Sequence, residues 1–136
     1  MGKALADAFP AARTVFDEVD AALSQKLSTL MWEGPEADLT LTANAQPALM
    51  AVSMAVLAVL QAEHGVTVAS TAKFVGGHSL GEYSALAAAG TFSLSATARL
   101  LRIRGKAMQA ATPLGIGAMA AILGLDFADV AAVAKD

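Results

Sequence analysis

The sequence predicts an α/β fold containing part of a parallel-sheet core. Three observations carry this: long segments with helical apolar periodicity, two short β-like runs at 73–77 and 117–125, and a glycine-flanked serine joining the first run to a helix. With 136 residues, 56% hydrophobic and 15% charged, the chain is too apolar for disorder and long enough for one domain core.

The elements follow in order. Leu5, Phe9, Ala12, Val15, Phe16, Val19 and Leu23 recur at helical spacing, with Asp17, Glu18 and Asp20 among the charges between them. They predict a surface helix pair hinged near Pro10. A short Leu27–Trp32 segment and a Gly34-Pro35 turn come next. Thr42–Glu63 is apolar nearly all round, which predicts a helix buried between other elements. Its most hydrophobic stretch, PALMAVSMAVLAVL, is shorter than the roughly 20 apolar residues that span a bilayer, so no membrane segment is expected. KFVGG at 73–77 reads as a strand, Ser79–Ala89 as a helix, and Ser93–Ala111 as another, capped by Ser93 or Ser95. GAMAAILGL at 117–125 reads as a second strand leading into the helix DFADVAAVA. Two strands cannot close a parallel sheet. The expectation is therefore a fragment, or a chain that self-associates or pairs with another chain through unpaired strands.

Composition removes several function classes. A net charge of −3 with nine Lys and Arg gives no broad basic surface for nucleic acid. The lack of cysteine removes thiol catalysis, disulfides and thiolate metal sites, and His64 and His78 stand outside any ligand-spaced cluster, so no metal is expected. Met1-Gly2-Lys3 leads into an amphipathic segment rather than a leader-like apolar run, and a cytoplasmic location is expected.

The chemistry concentrates in FVGGHSLGEYSALAAAG. Ser79 lies between Gly77 and Gly81, after a predicted strand and before a small-residue helix, the context of a nucleophile elbow. The flanking glycines suit a turn too tight for side chains, and backbone N–H groups from Leu80 onward point where an oxyanion would develop. Ser79 can therefore form an acyl ester. His78 is the sequence neighbour of Ser79 and points away from it in such an elbow, so it reads as a packing or hydrogen-bonding residue and not as the base. His64 reads as a solvent-facing helix C-terminal cap, and Glu82 as a first-turn acid or salt-bridge partner.

On Ser93–Ala111, Ala96, Leu100, Ile103, Ala107, Met108 and Ala111 form an apolar stripe with Arg104 inside it. A buried guanidinium needs a partner: a structural carboxylate such as Glu82, or the carboxylate of a ligand. The pattern alone leaves both open.

At this point the chain resembles the malonyl-CoA:acyl carrier protein transacylases and the acyltransferase domains of fatty-acid and polyketide synthases. The resemblance runs through TANAQPALM, GHSLGEYSALAAAG, RIRGKAMQ and GIGAMAAILGLD in family order. It implies an α/β-hydrolase-like core over 1–116 and the start of a ferredoxin-like subdomain over 117–136. It further implies that Ser79 is the acylated nucleophile, that Arg104 binds the malonyl carboxylate, that the Leu80 N–H serves the oxyanion hole, and that Met108 lines the acyl pocket. Gln46 is implied as support for the cleft. The implied partners are malonyl-CoA and acyl carrier protein, without a cofactor. The family's downstream histidine base and its N-terminal GQGSQ-type glutamine have no counterpart in this sequence, so the chain alone is expected to be nearly inactive. A serine hydrolase or thioesterase using the same elbow is the competing enzymatic reading, and a non-catalytic self-associating fragment the third.

Overall fold

The computed structural model describes residues 1–112, 115–117 and 120–135. Nine helices form among them: α1 (Lys3–Ala8), α2 (Pro10–Leu23), α3 (Leu27–Glu33), α4 (Glu36–Thr40), α5 (Thr42–His64), α6 (Val68–Thr71), α7 (Gly81–Ala88), α8 (Leu94–Ala111) and α9 (Phe127–Val133).

The predicted hinge lies between α1 and α2, where Phe9 is extended and Pro10 opens α2 at a position whose N–H needs no helical partner. α2 turns Ala12, Val15, Phe16 and Val19 inward. Buried Asp20 then accepts hydrogen bonds from the Ser28 N–H (2.8 Å) and Ser28 Oγ (2.6 Å), tying the end of α2 to the first turn of α3. α5 is the central element. Ala48, Met50, Ala51, Ala55 and Val59 are buried on it, and the core continues through Phe16, Val19, Leu27 and Leu101. α5 spans 23 residues, longer than its most apolar stretch, and by length and composition alone could cross a membrane. It packs against α2 and α8 with Gln46 among its buried residues, but it is buried on one face and not all round as expected, since Leu49, Val56 and Leu60 are exposed.

α8 starts where predicted: the Ser93 side chain accepts from the Ala96 N–H at 3.2 Å. Its inward face differs from the expected stripe. Thr97, Ala98, Leu101 and Gly105 are buried, whereas Ile103 is 65% exposed and Leu100 lies toward solvent. Close helix approach explains the difference. A Cβ on Gly105 would lie 2.6 Å from both Ala43 Cα and Thr42 O, so a bulky residue there would force α8 off the start of α5. Arg104 flanks this small-residue face, seven positions from Thr97, and is half-buried.

The α/β expectation is corrected. Among the described residues the chain is mostly helical and contains no strand. Residues 73–77 form no ladder, and Phe74 stands 91% exposed. Of the second predicted run, Ala118 and Met119 lie outside the described residues, and 120–125 pair with nothing. The physical reason is that a strand is completed by a neighbour's hydrogen bonds. Apolar, glycine-bounded runs meet the side-chain requirement and supply no partner. α9 forms as predicted but buries none of its residues.

Candidate active site

The elbow is built by steric necessity on one side. A Cβ on Gly77 would fall 2.0 Å from Gly81 C and 2.5 Å from the Glu82 N, so only glycine lets the chain fold back here. The same reason does not hold for Gly81, where an added Cβ meets nothing within 4 Å. Ser79 occupies the left-handed region with φ 56°, an uncommon conformation for a non-glycine residue that presents its side chain at the tip of the turn. The His78 carbonyl accepts from the Gly81 N–H at 2.9 Å and the Ser79 carbonyl from the Glu82 N–H at 3.3 Å, which closes the turn into α7. Among the described residues the Leu80 N–H donates to no group, leaving a backbone donor next to the serine at a helix N-terminus.

α8 and α5 bring the second half. The close contact at Gly105 sets the neighbouring Arg104 beside the first turns of α5. Arg104 Nη1 donates to Gln46 Oε1 at 2.6 Å, Nη2 donates to Ser79 Oγ at 3.2 Å, and the guanidinium lies 5.8 Å from the Tyr83 ring centroid. Gln46 is buried. Its Nε2 donates to Thr42 Oγ1 at 2.8 Å and to Met108 Sδ at 3.3 Å. Four of the sequence-predicted residues, Ser79, Arg104, Gln46 and Met108, thus form one hydrogen-bonded chain, and Leu80 adjoins it. Glu82 is exposed and makes no ion pair with Arg104. Among the described residues the Arg104 guanidinium has neutral partners only.

His78 is exposed and its side chain makes no hydrogen bond among the described residues; only its backbone carbonyl enters the turn. His64 ends α5 facing solvent, with Gly65 at φ 66° as the C-cap. Neither histidine contacts Ser79.

Sequence reasoning missed three residues. Thr42 lies four positions before Gln46, a spacing that places the pair on one face of α5, whereas Tyr83 reaches the site from the first turn of α7, after the left-handed Ser79. Arg102, outside the apolar stripe read on 93–111, is half-buried and donates to Asn44 Oδ1 (2.6 Å) and Gln25 Oε1 (2.7 Å), pinning α8 to α5 from the other side. Burial lowers its proton affinity below the usual arginine range. A groove of 710 Å³ passes behind the turn, lined by Val52, Val56, Phe74, Gly77, Leu80 and Ser84; neither Ser79 nor Arg104 lines it.

A hydroxyl at a strained turn, a free N–H beside it and an unneutralised guanidinium in reach suit acylation by an acid-bearing acyl group. In comparison with known proteins, residues 1–134 match the family described as acyl transferase domains. The chain belongs to the acyl transferase domain family.

This acyl transferase chain is 52% identical over 126 residues to the malonyl CoA-acyl carrier protein transacylase of Bacillus subtilis (strain 168), covering 93% of this chain and 38% of that protein. It is 43% identical over 132 residues to the Escherichia coli (strain K12) protein of the same name, covering 97% of this chain and 41% of that one. Among solved structures it is similar to an acyl-carrier-protein-S-malonyltransferase from Bartonella henselae, with TM-score 0.90 and 64% identity over 99% of this chain and 43% of that one. It is also similar to a chain in a complex of a type II PKS acyl-carrier protein with its malonyl-transacylase, with TM-score 0.85 and 41% identity over 99% and 42%. The acyl transferase chain spans about two-fifths of the length of these relatives.

Proposed function

We propose that this chain carries the nucleophile and the carboxylate-recognition half of malonyl transfer from coenzyme A to acyl carrier protein, in fatty-acid or polyketide synthesis. The observation that supports it most is the Arg104 guanidinium, held between Gln46 and Ser79 Oγ with neutral partners only among the described residues. A malonyl group is an acyl chain ending in a carboxylate. Seated as an ester on Ser79, its acid reaches the cation that contacts the same oxygen.

In the proposed reaction Ser79 Oγ attacks the malonyl thioester carbonyl, and the oxyanion develops beside the Leu80 N–H. The C–S bond breaks, and the coenzyme A thiol leaves with the proton the serine has lost. The phosphopantetheine thiol of the carrier protein then attacks the ester, and Ser79 recovers its proton as the C–O bond breaks. Met108 bounds the acyl site through its contact with Gln46. An acyl chain lacking the carboxylate leaves the guanidinium desolvated and unpaired, which is the basis of selection. Among the described residues no histidine or carboxylate hydrogen-bonds the Ser79 hydroxyl, so no side chain relays the serine proton to the leaving thiol and sustained turnover by this chain alone is expected to be close to nil. A cytoplasmic location is part of the proposal.

Product analysis with malonyl-CoA and carrier protein tests it, using the chain supplemented by the remaining segment of a relative. Malonylated carrier protein is expected. Free malonate as the main product would assign the elbow to a hydrolase or thioesterase instead.

A further inference from the structure

The carboxylate reading gives Arg104 a task, and the surroundings of Gln46 show how that task is prepared. Gln46 is 3% exposed, so its amide is sorted by protein partners and not by water. Nε2 has two acceptors, Thr42 Oγ1 at 2.8 Å and Met108 Sδ at 3.3 Å, which leaves Oε1 to meet Arg104 Nη1 at 2.6 Å. The reversed amide would set its NH2 against the guanidinium, donor against donor. Its position on α5 is fixed in turn, because Gly105 draws α8 against Thr42 and Ala43.

A carboxylate would bind Arg104 more strongly than this amide, and its absence here is informative. Gln46 orients the guanidinium through one nitrogen while adding no charge. The positive charge and the second nitrogen, now on Ser79 Oγ, stay available. We infer that Gln46 is a positioning residue that aims Arg104 at Ser79 while leaving its charge uncompensated, and that the neutrality of this buried amide sets the site's affinity for a carboxylate-bearing acyl group. The inference rests on the carboxylate reading of Arg104 above.

Gln46→Glu separates charge from shape. The glutamate has nearly the same size and keeps an oxygen facing Arg104. Its second oxygen loses the donations to Thr42 Oγ1 and Met108 Sδ but can accept from the Thr42 hydroxyl, and the new ion pair offsets the loss while cancelling the charge that a ligand acid would meet. Gln46→Met removes the oxygen and leaves Arg104 charged but unaimed. The measurement is free malonate binding by isothermal titration calorimetry on the native chain, Arg104→Met, Gln46→Glu and Gln46→Met, with a thermal melt of each. The native chain is expected to bind malonate and Arg104→Met to lose it. Gln46→Glu is expected to bind about 10- to 100-fold more weakly, the worth of one charge-assisted contact, at an unchanged or higher melting temperature. Gln46→Met is expected to fall between the native chain and Gln46→Glu. Native-like binding by Gln46→Glu overturns the inference while leaving the clamp intact. So do losses in both Gln46 variants that simply follow their melting temperatures, since that is a structural role. Failure of the native chain to bind malonate, or undiminished binding by Arg104→Met, overturns the carboxylate reading and the inference with it.

Discussion

Replacing Gly105 with alanine adds one methyl group where α8 crosses the start of α5. The new Cβ would sit 2.6 Å from Ala43 Cα and 2.6 Å from Thr42 O, against an ordinary contact of 3.4–4 Å, and both obstacles are backbone that cannot rotate away. The helices must separate by about 1 Å, and overpacking of this kind costs about 3 kcal/mol at the upper end of its usual range. Alanine gains about 1 kcal/mol over glycine as an interior helix residue. The net loss is about 2 kcal/mol, which for a chain of this size lowers the melting temperature by about 6–10 °C. Circular dichroism at the helical minimum during heating measures it directly. Gly81→Ala is the control: nothing lies within 4 Å of its added Cβ, so it should melt at or above the native temperature. The reasoning is refuted if Gly105→Ala is as stable as the native chain or more so, because helix propensity acting alone predicts that direction.

Arg104→Ala should reduce acylation of Ser79 by malonyl-CoA far more than by acetyl-CoA, read as adduct fractions by mass spectrometry; equal losses would remove the carboxylate clamp. Phe74, 91% exposed, Ile103 and Leu123, 90% exposed, present apolar side chains to water, so the chain should associate as its concentration rises. Phe74→Lys should lower the average mass in sedimentation equilibrium, and a strictly monomeric native chain would contradict this. The hydrogen bond from Lys3 holds the Asp7 carboxyl below the usual carboxylate range; desolvation is the next effect in size and opposes it, and the charges of Lys3 and Arg13 add smaller contributions in the lowering direction. Its contribution to stability is therefore complete above the ordinary carboxylate pKa and is lost as pH falls through the lowered value. Asp7→Asn should flatten the acid limb of the stability profile slightly, because the pair is exposed; an unchanged limb would show that the pair contributes nothing.

What could be read from the sequence was mostly local. The Pro10 hinge and the Ser93 cap each follow from residues within a few positions of one another, and they stand in the structure, whereas α5 is buried on one face only and leaves Leu49, Val56 and Leu60 exposed. The elbow was legible for the same reason: Gly77 and Ser79 define their turn through contacts that reach only to Glu82. The two strands read from KFVGG and GAMAAILGL do not form among the described residues, because an apolar, glycine-bounded run encodes side-chain character and not a hydrogen-bonded neighbour. The α8 stripe was misassigned because hydropathy favours Leu100 and Ile103, whereas close helix crossing selects the small Thr97, Ala98 and Gly105. Arg104 was singled out from that same misassigned stripe, and it is half-buried beside the small-residue face instead. Its contact with Gln46, 58 residues earlier, depends on how α5 and α8 cross, which no periodicity encodes.

The most direct test of the central claim is the intact mass of the purified chain before and after incubation with malonyl-CoA, beside Ser79→Ala. The account predicts slow accumulation of one malonyl group per native chain and none on Ser79→Ala, since the hydroxyl, the proposed oxyanion donor and Arg104 lie together while no base hydrogen-bonds the hydroxyl among the described residues. A native chain that stays unmodified, or an adduct that persists on Ser79→Ala, would contradict it.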